Sequence, residues 1–416
     1  MSGRFAAAVA GRTSTAAAIA AQGTQASAGL LIQVVAARNL GLDGLGKFGL
    51  LYGVMIVATA LPSGFVGDSM AVLDRQRPSV RAALQNWLLL IAAVCASICF
   101  LGAYAIGIVD GGVAIVYGVA TFLFLVEDSL RRLLMAAMRF WRITLVDITS
   151  IAVAVIVFVL SPNVDLLILF AALAGGQLVA IVVAVLLMPR EEKWFASPRP
   201  ASYRVVARYG IWRSLQLAVR PASLAATRAI VIGAAGLSAA GELEAARIYT
   251  APAMLLVVGL GAYLFSSYAR DKQRPLKEEI RSVDRQVVVL GGWIAMLSIC
   301  IAVAVPQVSP LIAGQQVSMT MTIGWLVYIL SVATTSCYAN LAAVRGFERA
   351  TLAVRSFDSG LSVIFVIAAM WVYQKTDSDL LVEAAPFAIA VGSFIGGFIL
   401  RRYVLRPGSA PSDAPS

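Results

Sequence analysis

Apolar runs of roughly 20 to 30 residues follow one another along the chain, each long enough to cross a hydrocarbon layer of about 30 Å as a helix. Within a run the apolar residues are continuous, and short polar or charged stretches separate one run from the next. The pattern predicts twelve membrane helices, over 14–37, 47–69, 84–108, 111–138, 142–161, 165–189, 206–235, 241–268, 286–307, 319–345, 352–373 and 380–401. A β-barrel is excluded, since its strands are about half this length and alternate polar with apolar positions. The expected fold class is therefore an all-α polytopic membrane protein. Near the start, Arg4 and Arg12 precede an Ala-rich stretch that resembles a secretory leader, but Gln22, Thr24 and Gln25 interrupt it, so an uncleaved first helix is expected.

Composition strengthens this picture. Of the 416 residues 60% are apolar and only 13% charged, about half the roughly 25% charged fraction of a soluble domain. Mean hydropathy is +0.85. The net charge of +11 would suggest nucleic acid in a soluble chain, yet here the basic residues sit between apolar runs, as in cytoplasmic membrane loops. No nucleic-acid partner is expected. Most of the 33 basic residues fall in clusters such as Arg75/Arg77/Arg81, Arg131/Arg132/Arg139/Arg142, Arg270/Lys272/Arg274/Lys277/Arg281/Arg285 and Arg401/Arg402/Arg406, all on one side of the twelve-helix layout. The other side holds Arg38, Lys47 and Lys375. The positive-inside rule then places both termini in the cytoplasm. The longest outward stretch is the uncharged one around Pro306 to Ser318.

Two six-helix lobes are expected, 1–195 and 206–403, joined by a cytoplasmic linker at 196–205 and followed by a disordered cytoplasmic tail at 404–416. Internal similarity supports a duplication. Gly41, Leu42 and Gly46 match Gly236, Leu237 and Gly241 at one offset, and Met135-Ala136-Ala137-Met138-Arg139 matches Leu341-Ala342-Ala343-Val344-Arg345. Each member of the second pair is followed by an aspartate near the start of the next helix, Asp147 and Asp358. Because a unit of six helices is even, both halves insert the same way up, as parallel repeats around a central cleft.

Chemistry is disfavoured by the absence of histidine, the commonest general base and metal ligand. Cys95, Cys99, Cys300 and Cys337 lie inside apolar runs without ligand spacing and read as small buried packing residues. No cofactor and no enzyme activity are expected. Polar residues at membrane depth carry the functional reading instead. Arg213, Arg220 and Arg228 share one face of the seventh helix with Gln216, and Gln22, Gln25 and Gln33 share one face of the first. Snorkelling is open to Arg213. Arg220 and Arg228 lie deeper, with no carboxylate one helical turn away, which favours a basic face lining a cavity; packing between helices is the alternative for the glutamines. The acidic residues read as structural: Glu127/Arg131 and Asp128/Arg132 are self-neutralising i,i+4 pairs at a helix end. Asp147 and Asp358 suit helix starts and remain weak candidates for cation coupling. Arg38 reads as an interfacial anchor or an outer gate.

The segment Ala37-Arg38-Asn39-Leu40-Gly41, with Gly46 and Phe48, resembles the loop after the first helix in polysaccharide flippases of the MOP superfamily, the Wzx-like O-antigen and exopolysaccharide exporters. Arg228 with Gly236, Gly241 and Ala245/Ala246 resembles the opening of their second half. The family usually has a Pro- or Glu-rich turn where this chain has Leu42-Asp43-Gly44. The resemblance implies two six-helix lobes in a bacterial cytoplasmic (inner) membrane that move a polyprenyl-pyrophosphate-linked oligosaccharide outward by alternating access. Its implied partners are that lipid-linked glycan, the bilayer, Na⁺ or H⁺, and polysaccharide assembly proteins. Guanidinium suits pyrophosphate as a planar donor. The rivals are a cation-coupled small-molecule antiporter of the same superfamily, ranked second for want of a carboxylate deep in a lobe, and a membrane polysaccharide polymerase or ligase, disfavoured by the short outer loops.

Overall fold

The computed structural model describes residues 2–189, 192, 202–270 and 275–405. Residues 196–201 of the expected linker, 406–416 of the expected tail, and the basic residues Arg190, Lys193, Arg199, Lys272, Arg274 and Arg406 lie outside the described residues. Among the described residues every regular element is helical. After α1 (Ser2–Asn39) comes α2 (Gly41–Pro62), which runs on through a π-helical turn, Ser63–Asp68, and a last α turn, Ser69–Val72. Four rods follow: α3 (Pro78–Ala105), α4 (Gly111–Ala136), α5 (Phe140–Leu160) and α6 (Leu166–Leu187). The second half holds α7 (Tyr203–Ile248), α8 (Ala251–Arg270), α9 (Leu276–Ile312), α10 (Met319–Val344) and α11 (Glu348–Thr376). Last comes α12, made of Asp379–Glu383 and Ala385–Ile399 with a closing π turn, Leu400–Val404.

Ten of these stretches are long and apolar enough to cross a membrane. Their outer faces are apolar too: α9 exposes Val288, Trp293, Met296, Ile299 and Val303, side chains that lipid tails can cover at no cost. Cys300 belongs to that exposed face, which corrects its reading as a buried packing residue. An apolar run shows that a residue avoids water, and lipid satisfies that as well as protein does. Cys95, Cys99 and Cys337 are buried.

Several helices begin earlier than the sequence pattern predicts, and α9 and α7 differ from it most informatively. α9 starts well before 286 and ends at Ile312, so Pro306 and Pro310 lie inside the helix and the connection expected to face outward shrinks to 313–318. The charged segment before 286 is an amphipathic extension, with Glu279, Ile280 and Val283 buried and Arg345 donating Nε to Glu279 Oε2 at 2.8 Å. In α7 the helix passes through Pro221, and its one non-helical residue is Gly236 (φ 90°, ψ 177°). Arg228 Nε lies 2.5 Å from Glu244 Oε1, although sixteen residues of straight helix would hold them about 24 Å apart. The chain therefore folds back at Gly236.

The chain forms two compact units, Met1–Leu40 with Leu50–Ala222, and Gly41–Gly49 with Ser223–Ser416. The start of α7 thus belongs to unit 1, and the first turns of α2 to unit 2. In unit 1, α4 packs on α3 and α6, and α5 on α1 and α6, around Leu84, Leu88, Leu130, Leu134, Ile143 and Val146. In unit 2, α10 packs on α8, α9 and α12, and Trp325 Nε1 donates to the Leu243 carbonyl at 2.9 Å.

The repeated motif packs on its own copy within unit 2. A Cβ at Gly46 would strike the Leu237 carbonyl and one at Gly241 the Leu42 carbonyl, a reciprocal contact between matched positions. Gly41 and Gly236 both take positive φ, 66° and 90°. For the second pair the structural equivalence lies two residues away from the sequence match. Both α4 and α10 end in a Schellman cap: Met138 N donates to Met135 O and Arg139 N to Leu134 O, as Gly346 N does to Ala343 O and Phe347 N to Ala342 O. Met138 therefore corresponds to Gly346, which places Asp358 about one turn further along its helix than Asp147. Met138 holds φ 56° without the glycine that favours it and is largely exposed. Met138→Gly is expected to stabilise the protein by about 1 kcal/mol, seen as a raised melting temperature of the detergent-solubilised protein.

Candidate functional site

The last turns of α4 carry Glu127, Asp128, Arg131 and Arg132. Their i,i+4 spacing predicts two pairs, and both form: Arg131 Nε lies 3.6 Å from Glu127 Oε1, and Arg132 Nε 2.8 Å from Asp128 Oδ2. Packing adds what spacing cannot show. Asp147, one turn and more into α5, meets Arg131 in a fork, Nε to Oδ1 at 2.8 Å and Nη2 to Oδ2 at 3.2 Å, the strong geometry for a guanidinium and a carboxylate. Thr24 of α1 donates its hydroxyl to Asp147 Oδ2 at 3.0 Å. Arg131 is only 2% exposed and Glu127 6%, so this is an ionic cluster inside unit 1.

These side chains line a cavity of about 150 Å³ together with Gln25 and Gly29 of α1, Tyr52 of α2 and Gln177 of α6. α6 comes close because residue 176 is glycine: a Cβ there would stand 2.8 Å from the Ser150 carbonyl of α5. That approach brings Gln177 to the wall, where its Oε1 is buried with no hydrogen-bond partner among the described residues. A buried amide oxygen of this kind is costly unless something fills the space beside it. Three carboxylates, Glu127, Asp128 and Asp147, face two guanidiniums, Arg131 and Arg132, so the cluster carries one negative charge too many. Asp147 is fully engaged, whereas Glu127 accepts no hydrogen bond among the described residues. Chemically the arrangement can take up one proton, and Glu127 is the group whose charge is least compensated.

A metal ion is a poor fit here. The Arg131 guanidinium already stands between Glu127 and Asp147, and among the described residues no three acidic or cysteine side chains converge as metal ligands.

Asp128 leads out of the cavity. Ser63 of the π turn donates to Asp128 Oδ2 at 3.1 Å, Arg132 also lies 3.9 Å from Asp68, and Arg213 of α7 pairs with Asp68. Arg213 Nη1 donates to Gln216 Oε1 at 3.0 Å. In unit 2, Glu244 is shared by two arginines, Arg228 and Arg247, with Arg247 Nη2 at 2.8 Å.

The other sequence candidates are dispersed. Gln25 and Asp147 meet at the cavity. Gln22 is exposed, and Gln33 donates to the Gly29 carbonyl of its own helix at 3.1 Å. Arg38 is exposed at the end of α1, and Arg220 is half-buried on α7. Arg228 is 7% exposed. It does have a carboxylate partner, which the fold-back at Gly236 delivers from sixteen residues away. Asp358 is buried on α11, where Ser359 donates to its Oδ1 at 3.1 Å, and α12 presses on its carboxylate at Gly396. Sequence reasoning missed Glu127, Arg131 and Gln177 as cavity residues. The available signal was Gln177, an amide in the middle of a predicted span.

The sequence matches no protein-family model and no curated protein. Its fold matches solved transporters. An inward-facing multidrug resistance MATE family transporter of the MOP superfamily superposes with a TM-score of 0.68 at 14% identity, over 89% of this chain and 92% of that one. An outward-facing member gives 0.62 at 16% identity, over 95% and 96%. MATE in the straight conformation gives 0.64 at 15% identity, over 92% of each. At such identities the likeness is one of fold, and the fold is the all-helical polytopic one expected from the apolar runs.

Proposed function

We propose that this chain is an alternating-access membrane transporter driven by protons, and that Glu127 is the residue that takes up and releases the proton. The observation that carries the reading is the buried cluster one charge away from neutrality at the wall of a cavity in unit 1. Ionisable groups at membrane depth are expensive and mark ion pathways. Lining the cavity with Glu127 are Arg131 and Asp128 of its own helix, Asp147 of α5, Gln25 of α1, Tyr52 of α2 and Gln177 of α6. Arg131 is committed to Asp147, so one proton on Glu127 neutralises the cluster without breaking that fork. Glu127 would supply the carboxylate deep in a lobe that a cation-coupled exporter needs: its i,i+4 pair with Arg131 forms as expected, but Arg131 is shared with Asp147. With Arg131 in place, H⁺ fits the site better than Na⁺.

For cargo we infer a polyprenyl-pyrophosphate-linked oligosaccharide, moved outward across a bacterial cytoplasmic membrane by lobes 1–195 and 206–403, with both termini in the cytoplasm. In unit 2 two arginines, Arg228 and Arg247, gather at one carboxylate, Glu244, and guanidinium suits an anionic headgroup. The second reading is a small-molecule antiporter, favoured by the neighbours described as multidrug resistance transporters. Cells lacking the protein are expected to accumulate completed lipid-linked units on the cytoplasmic leaflet, where they resist an externally added glycosidase. Accumulation on the outer leaflet would contradict the flippase reading. Normal surface glycan with increased sensitivity to organic cations would favour the antiporter.

A further inference from the structure

Asp128 lies at the cavity wall, yet its bonds point away from the cavity. They begin a ladder of alternating charge: Asp128 to Arg132 at 2.8 Å, Arg132 to Asp68 at 3.9 Å, Asp68 to Arg213. The ladder climbs from α4 over the π turn of α2 to the start of α7. The π turn adds a residue per turn at Ser63–Asp68, and such insertions re-aim side chains. Here Ser63 faces Asp128 and Asp68 faces Arg213. The backbones are held close as well. A Cβ at Gly64 would strike the Ser214 backbone and one at Gly210 would stand 2.7 Å from Phe65 Cα, while Ser214 Oγ donates to the Leu61 carbonyl at 2.9 Å.

We propose that Arg213 and Asp68 form a latch holding the start of α7 on the π turn of α2, and that Asp128 controls the latch from the cavity by keeping Arg132 away from Asp68. Arg132 stands between two carboxylates, close to Asp128 and distant from Asp68. When the negative charge around Asp128 weakens, Arg132 shifts to Asp68, competes with Arg213 and opens the latch. Asp128 and Arg132 are positioning residues, since among the described residues neither forms a hydrogen bond or ion pair with α7. The purpose of the release, to let α7 move once the cavity is neutralised, rests on the transport reading; the latch itself does not.

The test needs no cargo. Ser214 is 1% exposed, so in protein carrying Ser214→Cys, with exposed Cys300 replaced by Ala, the rate of labelling by a small methanethiosulfonate in detergent reports the latch. Arg213→Gln is expected to speed labelling about two- to fivefold, the size of effect a half-exposed ion pair supports, and Arg213→Lys to keep it slow. Asp128→Asn is expected to speed labelling comparably, and adding Arg132→Gln to it to restore the slow rate, because the competitor is gone. Unchanged labelling in Arg213→Gln would overturn the latch. Labelling as fast in Asp128→Asn/Arg132→Gln as in Asp128→Asn alone would overturn its control from the cavity, since general loosening would add up rather than cancel. Neither result bears on whether the protein transports, which flux measurements decide.

Discussion

Arg131→Gln is expected to remove most folded protein from the membrane fraction, and the remainder to melt far below the native protein. Arg131 is among the largest fully buried side chains of the described residues and the partner of both Glu127 and Asp147. Its removal leaves two buried carboxylates facing each other with no counter-charge. Breaking a buried pair by deleting one partner costs about 3–5 kcal/mol, a large part of a typical total of about 5–15 kcal/mol. A solvated pair behaves differently: Arg213→Gln, whose side chain is 43% exposed, is expected to cost no more than about 1 kcal/mol. The companion variant Arg131→Gln/Asp147→Asn should recover much of the loss, because the carboxylate that Arg131 neutralised most closely is then neutral as well. Size-exclusion yield and thermal melting of all three variants check this. A normal melting temperature for Arg131→Gln would mean that the cluster is solvated and that the cavity is not the low-dielectric site described above.

The membrane itself made the fold legible. Lipid requires each spanning segment to satisfy its own backbone and to be about 20 residues long, so apolar runs locate the helices directly. Glycines at a fixed offset pointed to a duplication, but the reciprocal packing of Gly46 and Gly241 came only from the structure, where a Cβ at either would strike backbone of the other segment. Side-chain partners across helices were less legible. Periodicity shows which residues share a face of one helix, and on that basis Glu127/Arg131 looked complete and Arg228 looked unpaired. Asp147 reaches Arg131 from the next helix, and Glu244 reaches Arg228 only because the chain reverses at Gly236. Both partners lie sixteen residues from their arginine, beyond any helical spacing. Their pairing depends on one chain reversal near Met138 and another at Gly236, and neither residue announces its angle in the sequence.

The largest functional effect is expected at Glu127. Gln at this position keeps the shape of the side chain and fixes it in a neutral form, so the cluster remains assembled but can no longer exchange a proton. The protein should fold normally, because neutral Glu127 leaves the Arg131–Asp147 fork intact and removes the excess negative charge. Transport, in contrast, should lose its driving force. The most direct measurement uses purified protein in vesicles with an imposed pH gradient, following either a fluorescent polyprenyl-pyrophosphate-linked oligosaccharide or a fluorescent organic cation. The account predicts that one of these cargoes moves at a rate set by the gradient, with proton flux in step, and that Glu127→Gln abolishes the dependence while its melting temperature stays at or above the native value. Gradient-driven movement that persists in Glu127→Gln, or movement of neither cargo responding to pH in the native protein, would contradict it.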